Sequence, residues 1–285
     1  MGIYVEGMTK NAIFRLKFLN IKSLAWVTDP HFEFLEESQA EEFCARLRAS
    51  VAEGILITGD ISNGPEIRRA FTMLSKTVRK PIFFTLGNHD RYESSFARTE
   101  AIVDACVRHL PYLYRLTGRE VLRLAPGHAL VGVDGWADGR AGNGSNTQVR
   151  INDFVQIYDF QVLRDDAARF ELMQKLAREY AEAVRASLEK AMSMFSHVWL
   201  ATHVPPFVEA TWHEGKLSEP DFLPFFCWPT LGEILTAVSQ RHPRSTIRVL
   251  CGHTHGKGRY SRDNIVVDTG EATYGQPRIN EIVRF

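Results

Sequence analysis

The sequence predicts an α/β fold, in which the strands of a buried sheet are joined by crossover helices. Short apolar or β-branched runs alternate with amphipathic segments, which is the pattern of repeated strand and helix units. Polar residues that can bind metals follow directly after five of these runs, and open α/β sheets bind their ligands at the carboxyl ends of strands. The composition, 45% hydrophobic and 24% charged, is that of a soluble globular protein.

The length of the chain, 285 residues, suits one large α/β domain with insertions. We predict a single domain over residues 1–285, with insertions at about 137–196 and 207–229. Residues 1–20 are either a tail or, through the weakly alternating segment 13–18, an extra edge strand.

Eight segments have the apolar character and length of strands. They are 23–28, 54–58, 81–86, 129–133, 198–202, 246–251, 265–268 and 279–285. Amphipathic spacing and start signals predict helices over 36–53, 65–78 and 94–110. The stretch 162–195 lacks Gly and Pro and predicts one long helix or two in sequence. This helical segment is either a cap or dimerisation element, or it simply packs on the sheet.

The charged residues are balanced, with 34 Lys and Arg against 34 Asp and Glu. A chain without net positive charge gives no strong signal for binding a nucleic-acid polymer through its phosphates. No apolar run is long enough to predict a membrane span. The first 30 residues lack the uninterrupted apolar segment of a signal peptide, and the four widely spaced cysteines indicate reduced core thiols. These features predict a cytoplasmic protein.

The first two clusters of polar residues follow the first two predicted strands. Asp29 and His31 come after 23–28, and residues two apart on extended chain point to the same side, so both could reach one ion. Taken alone, the pair also fits a turn residue and a surface histidine. Asp60 follows 54–58 and by itself is typical of a helix cap or a turn.

The third and fourth clusters follow later strands. Asn88, His89 and Asp90 stand in consecutive positions after 81–86, and they bring together an amide, an imidazole and a carboxylate that a turn does not need. His203 follows 198–202, and a lone histidine in that place is informative only as part of the series.

The fifth cluster is the pair His253 and His255, directly after the strand 246–251. Two imidazoles at this spacing are among the stronger local indications of a metal site. Half of the 10 histidines in the chain fall in the five clusters. Agreement in residue type, order and position therefore predicts one metal centre at the strand ends.

In order, the five clusters resemble the signature of the calcineurin-like metallophosphoesterase family: DxH, GD, GNH followed by Asp or Glu, a lone His, and GHxH. The matching residues are Asp29 with His31, Gly59-Asp60, Gly87-Asn88-His89-Asp90, His203 and Gly252-His253-Thr254-His255. The resemblance runs from about residue 23 to 285 and implies a four-layer αββα sandwich, here with a helical insertion. The chain lacks the Asp-Arg pair of the large phosphoprotein phosphatases and more resembles bacterial class III cyclic-nucleotide phosphodiesterases.

The resemblance implies two ligand sets that share one bridging carboxylate. The first ligand set is Asp29, His31, Asp60 and His255, and the second ligand set is Asp60, Asn88, His203 and His253. One carboxylate can keep two divalent ions roughly 3.5 to 4 Å apart, the spacing used for displacement at phosphorus. Mixed nitrogen and oxygen ligands suit Mn, Fe, Zn, Co or Ni better than Ca.

The resemblance also implies roles for three neighbouring residues. His89 corresponds to the histidine of the family that is not a ligand, and it would donate a proton to the departing oxygen or hydrogen-bond to it. Asp90 would hold the ring of His89 and raise its basicity. Arg91 would touch a phosphate oxygen, although an arginine beside a turn is more often only solvated.

The implied activity is hydrolysis of a small-molecule phosphate ester by a hydroxide bound between two divalent metals. Phosphodiesters such as cyclic nucleotides or nucleotide derivatives are the leading substrates, and the alternatives are a phosphomonoesterase with the same site or a non-catalytic binding scaffold. The aromatic segment 207–229 either stacks on a base or aryl group or plugs the core. The sequence makes no prediction of the oligomeric state.

Overall fold

The alternating pattern of strands and helices folds into two sheets with helices on both outer sides. The computed structural model describes residues 4–9 and 12–285, and the side chains from residue 19 onwards. The strands are β1 (Tyr4–Thr9), β2 (Ala12–Phe18), β3 (Ser23–Val27), β4 (Gly54–Thr58), β5 (Ile82–Thr85), β6 (Leu113–Arg115), β7 (Glu120–Ala125), β8 (His128–Gly132), β9 (His197–Ala201), β10 (Trp212–His213), β11 (Lys216–Leu217), β12 (Thr246–Cys251), β13 (Gly258–Arg262), β14 (Ile265–Thr269) and β15 (Glu281–Arg284). The helices are α1 (Glu37–Ala49), α2 (Ile67–Val78), α3 (Phe96–His109), α4 (Asp153–Gln156), α5 (Tyr158–Gln161), α6 (Asp166–Met194), α7 (Leu223–Phe226) and α8 (Pro229–Arg241).

The two sheets differ in size, and the central strands of each sheet are parallel to one another. The smaller sheet has the strand order β15-β3-β4-β5-β6, and the larger has the order β1-β2-β7-β8-β9-β12-β14-β13. Pairing is parallel from β3 to β6 and from β8 through β9 and β12 to β14. Parallel neighbours end at the same edge of their sheet, so residues that follow these strands gather there.

Each central strand supplies side chains to two cores. Along β3, Leu24 and Trp26 belong to the cluster between the sheets, whereas Ala25 and Val27 belong to the cluster beneath α1, α2 and α3. Successive side chains of a strand point to opposite faces, and here both faces are covered. The continuous apolar run of β3 follows from this double burial, which confirms the predicted four-layer αββα arrangement.

The long helix α6 packs on the outer face of the larger sheet. It is one helix of 29 residues, and its N-terminus is capped by Asp165, whose side chain accepts a hydrogen bond from the backbone N–H of Ala168. Its apolar stripe, which includes Ala177, Val184 and Leu188, is buried in the core with strands β7, β8 and β9 and helix α8. The stretch 162–195 is therefore a core-packing helix, the simpler of the predicted alternatives.

All eight predicted strands are confirmed, with ends that differ by no more than two residues. The segment 13–18 lies in β2, which pairs with β1 on one side and β7 on the other, so that β1 takes the edge position. The edge strand β13 is missed because its side chains are mostly polar and exposed, and such a strand has no apolar pattern to find.

Two further expectations concern the whole chain. Among the described residues, no helix has both the length and the apolar character needed to cross a bilayer, and α6 carries charged residues along its length. The four cysteines are buried and free, as predicted.

The packing of α6 predicts a large effect for a single truncation in its stripe. We expect Leu188→Ala to lower the free energy of unfolding by about 2–5 kcal/mol, because Leu188 is fully buried and its loss leaves a cavity. Urea denaturation followed by circular dichroism measures this change. Lys190→Ala on the exposed side of the same helix is the control, and an equal effect of the two substitutions would contradict the packing described above.

Candidate metal centre

The predicted ligand residues lie together in the loops at the carboxyl ends of five strands. Asp29, Asp60 and Asn88 follow β3, β4 and β5 of the smaller sheet, and His203 and His253 follow β9 and β12 of the larger. The loops of the two sheets touch, because the backbone N–H of His253 donates to the carboxylate of Asp29 at 3.1 and 3.2 Å. The centre therefore lies where the two sheets meet.

The backbone of the ligand loops is left-handed, not extended. The φ angles are 49° at Asp29, 45° at His31, 50° at Asp60, 70° at His253 and 60° at His255. This corrects the expectation that side chains two apart converge through the alternation of a strand. Non-glycine residues in this region are uncommon and strained, and they cluster at functional sites.

The first ligand set forms a compact group on the side of β3. The Nε2 atoms of His31 and His255 are 3.3 Å apart. His31 Nε2 is 3.7 Å from Asp60 Oδ2, and His255 Nε2 is 3.4 Å from Asp29 Oδ1. One potential ligand atom from each of the four residues lies within 4.8 Å of the other three.

The second ligand set surrounds the other oxygen of Asp60. His203 Nε2 is 3.4 Å from Asp60 Oδ1 and 3.2 Å from the amide oxygen of Asn88. Asp60, His203 and His253 also offer atoms within 4.8 Å of one another. The two sets therefore share Asp60, with one carboxylate oxygen toward each.

Two glycines make room for this convergence. A Cβ atom at Gly87 would collide with Asp60 Oδ1 and His203 Nε2, and one at Gly252 would collide with Thr28 and Asp29. Their presence in the GNHD and GHTH sequences is thus a steric requirement of the ligands beside them.

Hydrogen bonds to backbone oxygens orient two of the imidazoles. His203 Nδ1 lies 2.9 Å from the carbonyl oxygen of Thr58, and His253 Nε2 lies 2.9 Å from that of Phe225. A carbonyl oxygen only accepts, so these nitrogens carry the protons. In the neutral rings the lone pairs are on His203 Nε2 and His253 Nδ1, and such outer partners prepare histidine for a metal.

The amide of Asn88 is oriented by two residues that the sequence does not single out. Its nitrogen donates to Asp153 Oδ1 at 2.8 Å and lies 3.2 Å from the hydroxyl of Tyr92, which itself donates to Asp153 Oδ1 at 2.7 Å. Asp153 belongs to the insertion at α4, far from Asn88 in the chain, so no local pattern connects them. The amide oxygen consequently faces His203.

Glu33 is a third residue that the sequence reasoning misses. Its Oε1 lies 3.0 Å from His31 Nδ1 and 3.3 Å from His89 Nδ1. Asp90, predicted to hold the ring of His89, instead accepts the backbone N–H groups of Ile61, Ser62 and Gly87. Asp90 therefore shapes the loop, and the carboxylate beside His89 is that of Glu33.

Arg91 does not reach a substrate position, which corrects its predicted contact with phosphate. Its side chain is 1% exposed and pairs with Glu100 at 2.6 Å and Asp134 at 3.2 Å. Arg115 binds the same two carboxylates, and Asp134 Oδ1 accepts the N–H of Leu86 just before the GNHD loop. Arg91 thus supports that loop from behind.

The ionisable groups of the centre perturb one another strongly. Burial opposes the ionisation of Asp29, yet the hydrogen bond from His255 and nearby charges lower its pKa to about 2. Burial would lower the pKa of His203, but Asp60 raises it to about 10. Burial and the charge of His203 lower the pKa of His253 to about 4. A proton on His203 thus balances the Asp60 carboxylate, which is a place a metal cation can take.

The residues present fit two divalent cations. His31 Nδ1 faces Glu33, so its Nε2 is the nitrogen turned into the first ligand set, 3.3 Å from His255 Nε2, and a cation there would be held by both nitrogens. The donors are imidazole nitrogen, carboxylate oxygen and amide oxygen, a mixture typical of transition metals and zinc.

A cleft of about 500 Å³ opens from the second ligand set. One wall is the segment 149–153, and the other is formed by the β10–β11 hairpin and α7. The aromatic segment has two parts: Trp228 and Phe225 are buried in the core, while Phe222 and Phe226 line the cleft and stack on each other with ring centroids 5.6 Å apart.

Tyr274 covers the first ligand set from the opposite side. Its ring centroid is 4.7 Å from that of His31 and 5.0 Å from that of His255, and half of the residue is exposed. It lines the same cleft. It comes from a loop after β14 that has no motif, so the sequence gives no sign of its place.

This fold and this arrangement of residues define a metallophosphoesterase. The chain matches the calcineurin-like phosphoesterase family over residues 22–257 and belongs to that family. It is a phosphoester hydrolase, and its family uses divalent metals. No curated protein matches it at a significant level.

Two solved structures are similar to this chain at low sequence identity. The phosphopantetheinyl hydrolase of Mycobacterium tuberculosis has a TM-score of 0.63 and 16% identity, with 90% of this chain and 92% of that chain covered. A putative 5'-nucleotidase of Staphylococcus aureus has a TM-score of 0.48 and 12% identity, with 87% of this chain and 48% of that chain covered. The first likeness supports the fold.

The contacts of Asp153 predict an effect on metal binding. We expect Asp153→Ala to weaken binding of one of two metals by about 10–100-fold, because the amide of Asn88 loses the partner that aims its oxygen. Calorimetric titration of metal-free protein with Mn measures both affinities. Asp104→Ala, at an exposed position on α3, is the control, and unchanged affinities in Asp153→Ala would contradict the orienting role.

The contacts of Arg91 predict an effect on stability. We expect Arg91→Ala to lower the free energy of unfolding by about 3–5 kcal/mol, because it removes one of the two cations that pair with the buried carboxylate of Asp134. Guanidinium denaturation measures the change. Arg98→Ala, exposed on α3, should change stability little. A stable Arg91→Ala protein with weakened substrate binding would instead restore the original expectation.

Proposed function

We propose that this phosphoester hydrolase cleaves phosphodiesters, with cyclic nucleotides or nucleotide derivatives as the substrate class. The two ligand sets are proposed to hold two divalent ions, with Asp60 bridging them. The donor set suits Mn, Fe, Zn, Co or Ni. The chemistry that two bound ions supply is Lewis acidity, which activates a water near neutral pH and neutralises charge developing at phosphorus.

The residues of the chain divide the remaining work. Asn88 and His203 would bind one ion, and Asp29 and His31 would bind the other. Asp60 would bind both ions and so fix the distance between them. His89 lines the cleft, and we assign it the donation of a proton to the departing oxygen. Backbone N–H of His89 donates to Asp60 Oδ1 at 2.9 Å, so the proton donor is tied to the bridging carboxylate.

The charged side chains that line the cleft support the proposed preference for diesters. Among the described residues that line it, the lysine and arginine side chains are Lys216 and Arg150, and Arg150 pairs with Asp166. Glu214 and Glu219 also line the cleft. Away from the two proposed ions, a monoester dianion would meet more repulsion from these carboxylates than a diester monoanion would, which supports the diester.

The aromatic wall supports an organic group on the phosphate. Phe226 packs its ring against His253 at a centroid distance of 5.1 Å, and Phe222 continues the wall outward with 39% of its surface exposed. A base stacked on such rings gains about 1–3 kcal/mol. This apolar surface begins beside His253, a candidate ligand, and it suits the base of a nucleotide ester.

The proposal predicts a metal-dependent diesterase. Protein reconstituted with Mn should hydrolyse bis-p-nitrophenyl phosphate faster than p-nitrophenyl phosphate, and Asp60→Asn should lower both rates by at least about 100-fold, since the shared ligand is weakened. Rates are followed by release of nitrophenolate, and metal content by mass spectrometry. Asp104→Asn on the surface of α3 is the matched control.

The other outcomes are informative as well. A faster rate with the monoester would make the chain a phosphomonoesterase with the same centre. Two bound metals without turnover of either ester, or of a cyclic nucleotide, would indicate a binding scaffold.

A further inference from the structure

Glu33 lies between a candidate metal ligand and the proposed proton donor. It belongs to the single helical turn Phe32–Phe34, directly after His31. Its side chain is 8% exposed, and one oxygen faces Nδ1 of both His31 and His89. We propose that Glu33 is a positioning residue that couples the metal centre to the proton donor by fixing both rings through one carboxylate oxygen.

The first step is the proton on each ring. A carboxylate oxygen has two lone pairs and can accept two hydrogen bonds. At 3.0 and 3.3 Å from Glu33 Oε1, the Nδ1 atoms of both histidines are within reach as donors. Each ring then keeps Nε2 for its own task.

The second step concerns the positions of those two Nε2 atoms. Nε2 of His31 lies inside the first ligand set, 3.3 Å from His255 Nε2. His89 lines the cleft, so Nε2 of its imidazolium form is the nitrogen that gives its proton to a departing oxygen, and the neutral ring that results keeps its proton on Nδ1 against Glu33. The carboxylate of Glu33 thus leaves Nε2 of His31 for the metal centre and Nε2 of His89 for the departing oxygen.

The third step is that the ring of His89 is confined on other sides. It stacks on Tyr92 at a centroid distance of 4.1 Å and meets the ring of His31 edge-on at 4.5 Å. Asp90, its neighbour, has its oxygens engaged by backbone N–H groups. Glu33 is therefore the carboxylate that sets which nitrogen of His89 carries the proton.

A spectroscopic experiment tests this geometry without any turnover. In zinc-loaded protein labelled with ¹⁵N-histidine, at a pH where the His89 ring is neutral, we expect the rings of His31 and His89 to carry their proton on Nδ1, as read from long-range ¹H–¹⁵N correlation. His89→Ala identifies the signals of that ring by their loss. A neutral His89 ring protonated at Nε2 would overturn the proposal, whether or not the protein hydrolyses diesters.

A kinetic experiment tests the coupling and rests on the proposed function. Phenolate is a poorer leaving group than p-nitrophenolate and depends more on proton donation. We expect Glu33→Gln to reduce kcat for diphenyl phosphate at least about tenfold more than for bis-p-nitrophenyl phosphate. Glu37→Gln, exposed at the start of α1, is the matched control.

Combining substitutions separates positioning from general damage. In a His89→Ala background, Glu33→Gln should cause little further loss with diphenyl phosphate, because the group it acts through is gone. Equal losses with both esters, or the same loss in both backgrounds, would overturn the coupling. Absence of turnover in the unsubstituted protein would count against the proposed function, and the tautomer of His89 would then decide the role of Glu33.

Discussion

The carboxylate of Asp60 is the feature on which the rest of the centre depends. Its Oδ1 accepts the N–H of His89 and lies beside His203, and its Oδ2 lies beside His31. Such a placement demands a left-handed turn at Asp60 and a neighbour without a side chain at Gly87. The two sheets meet around Asp60, so the positions of the candidate ligands depend on how the two sheets pack.

Much of this arrangement could be predicted from the sequence, for physical reasons. Strands buried on both faces, such as β3 and β4, must be apolar throughout, and their runs are easy to find. Side chains of a type that can bind metals, such as Asp29 and His253, stand out because a turn has no need of them. Their order along the chain then identified the family, which the comparison over residues 22–257 bears out.

The errors have physical causes too. Adjacency in sequence suggested that Asp90 serves His89 and that Arg91 meets phosphate, but a tight turn sends neighbouring side chains in different directions, and both are buried behind the loop. Asp153 and Tyr274 escaped notice because only tertiary packing brings them to the centre. Glu33 stands two residues from His31, yet its partner His89 is on another strand loop, and no spacing rule joins them.

The walls of the cleft are also fastened to the candidate ligands. Asp153, in one wall, holds the amide of Asn88, and the carbonyl of Phe225, in the other, holds the ring of His253. A substitution that changes substrate recognition in either wall is therefore expected to change metal affinity as well. A redesign or a natural drift that reshapes either wall for a new ester would also change the orientation of a proposed metal ligand, unless it keeps these two hydrogen bonds.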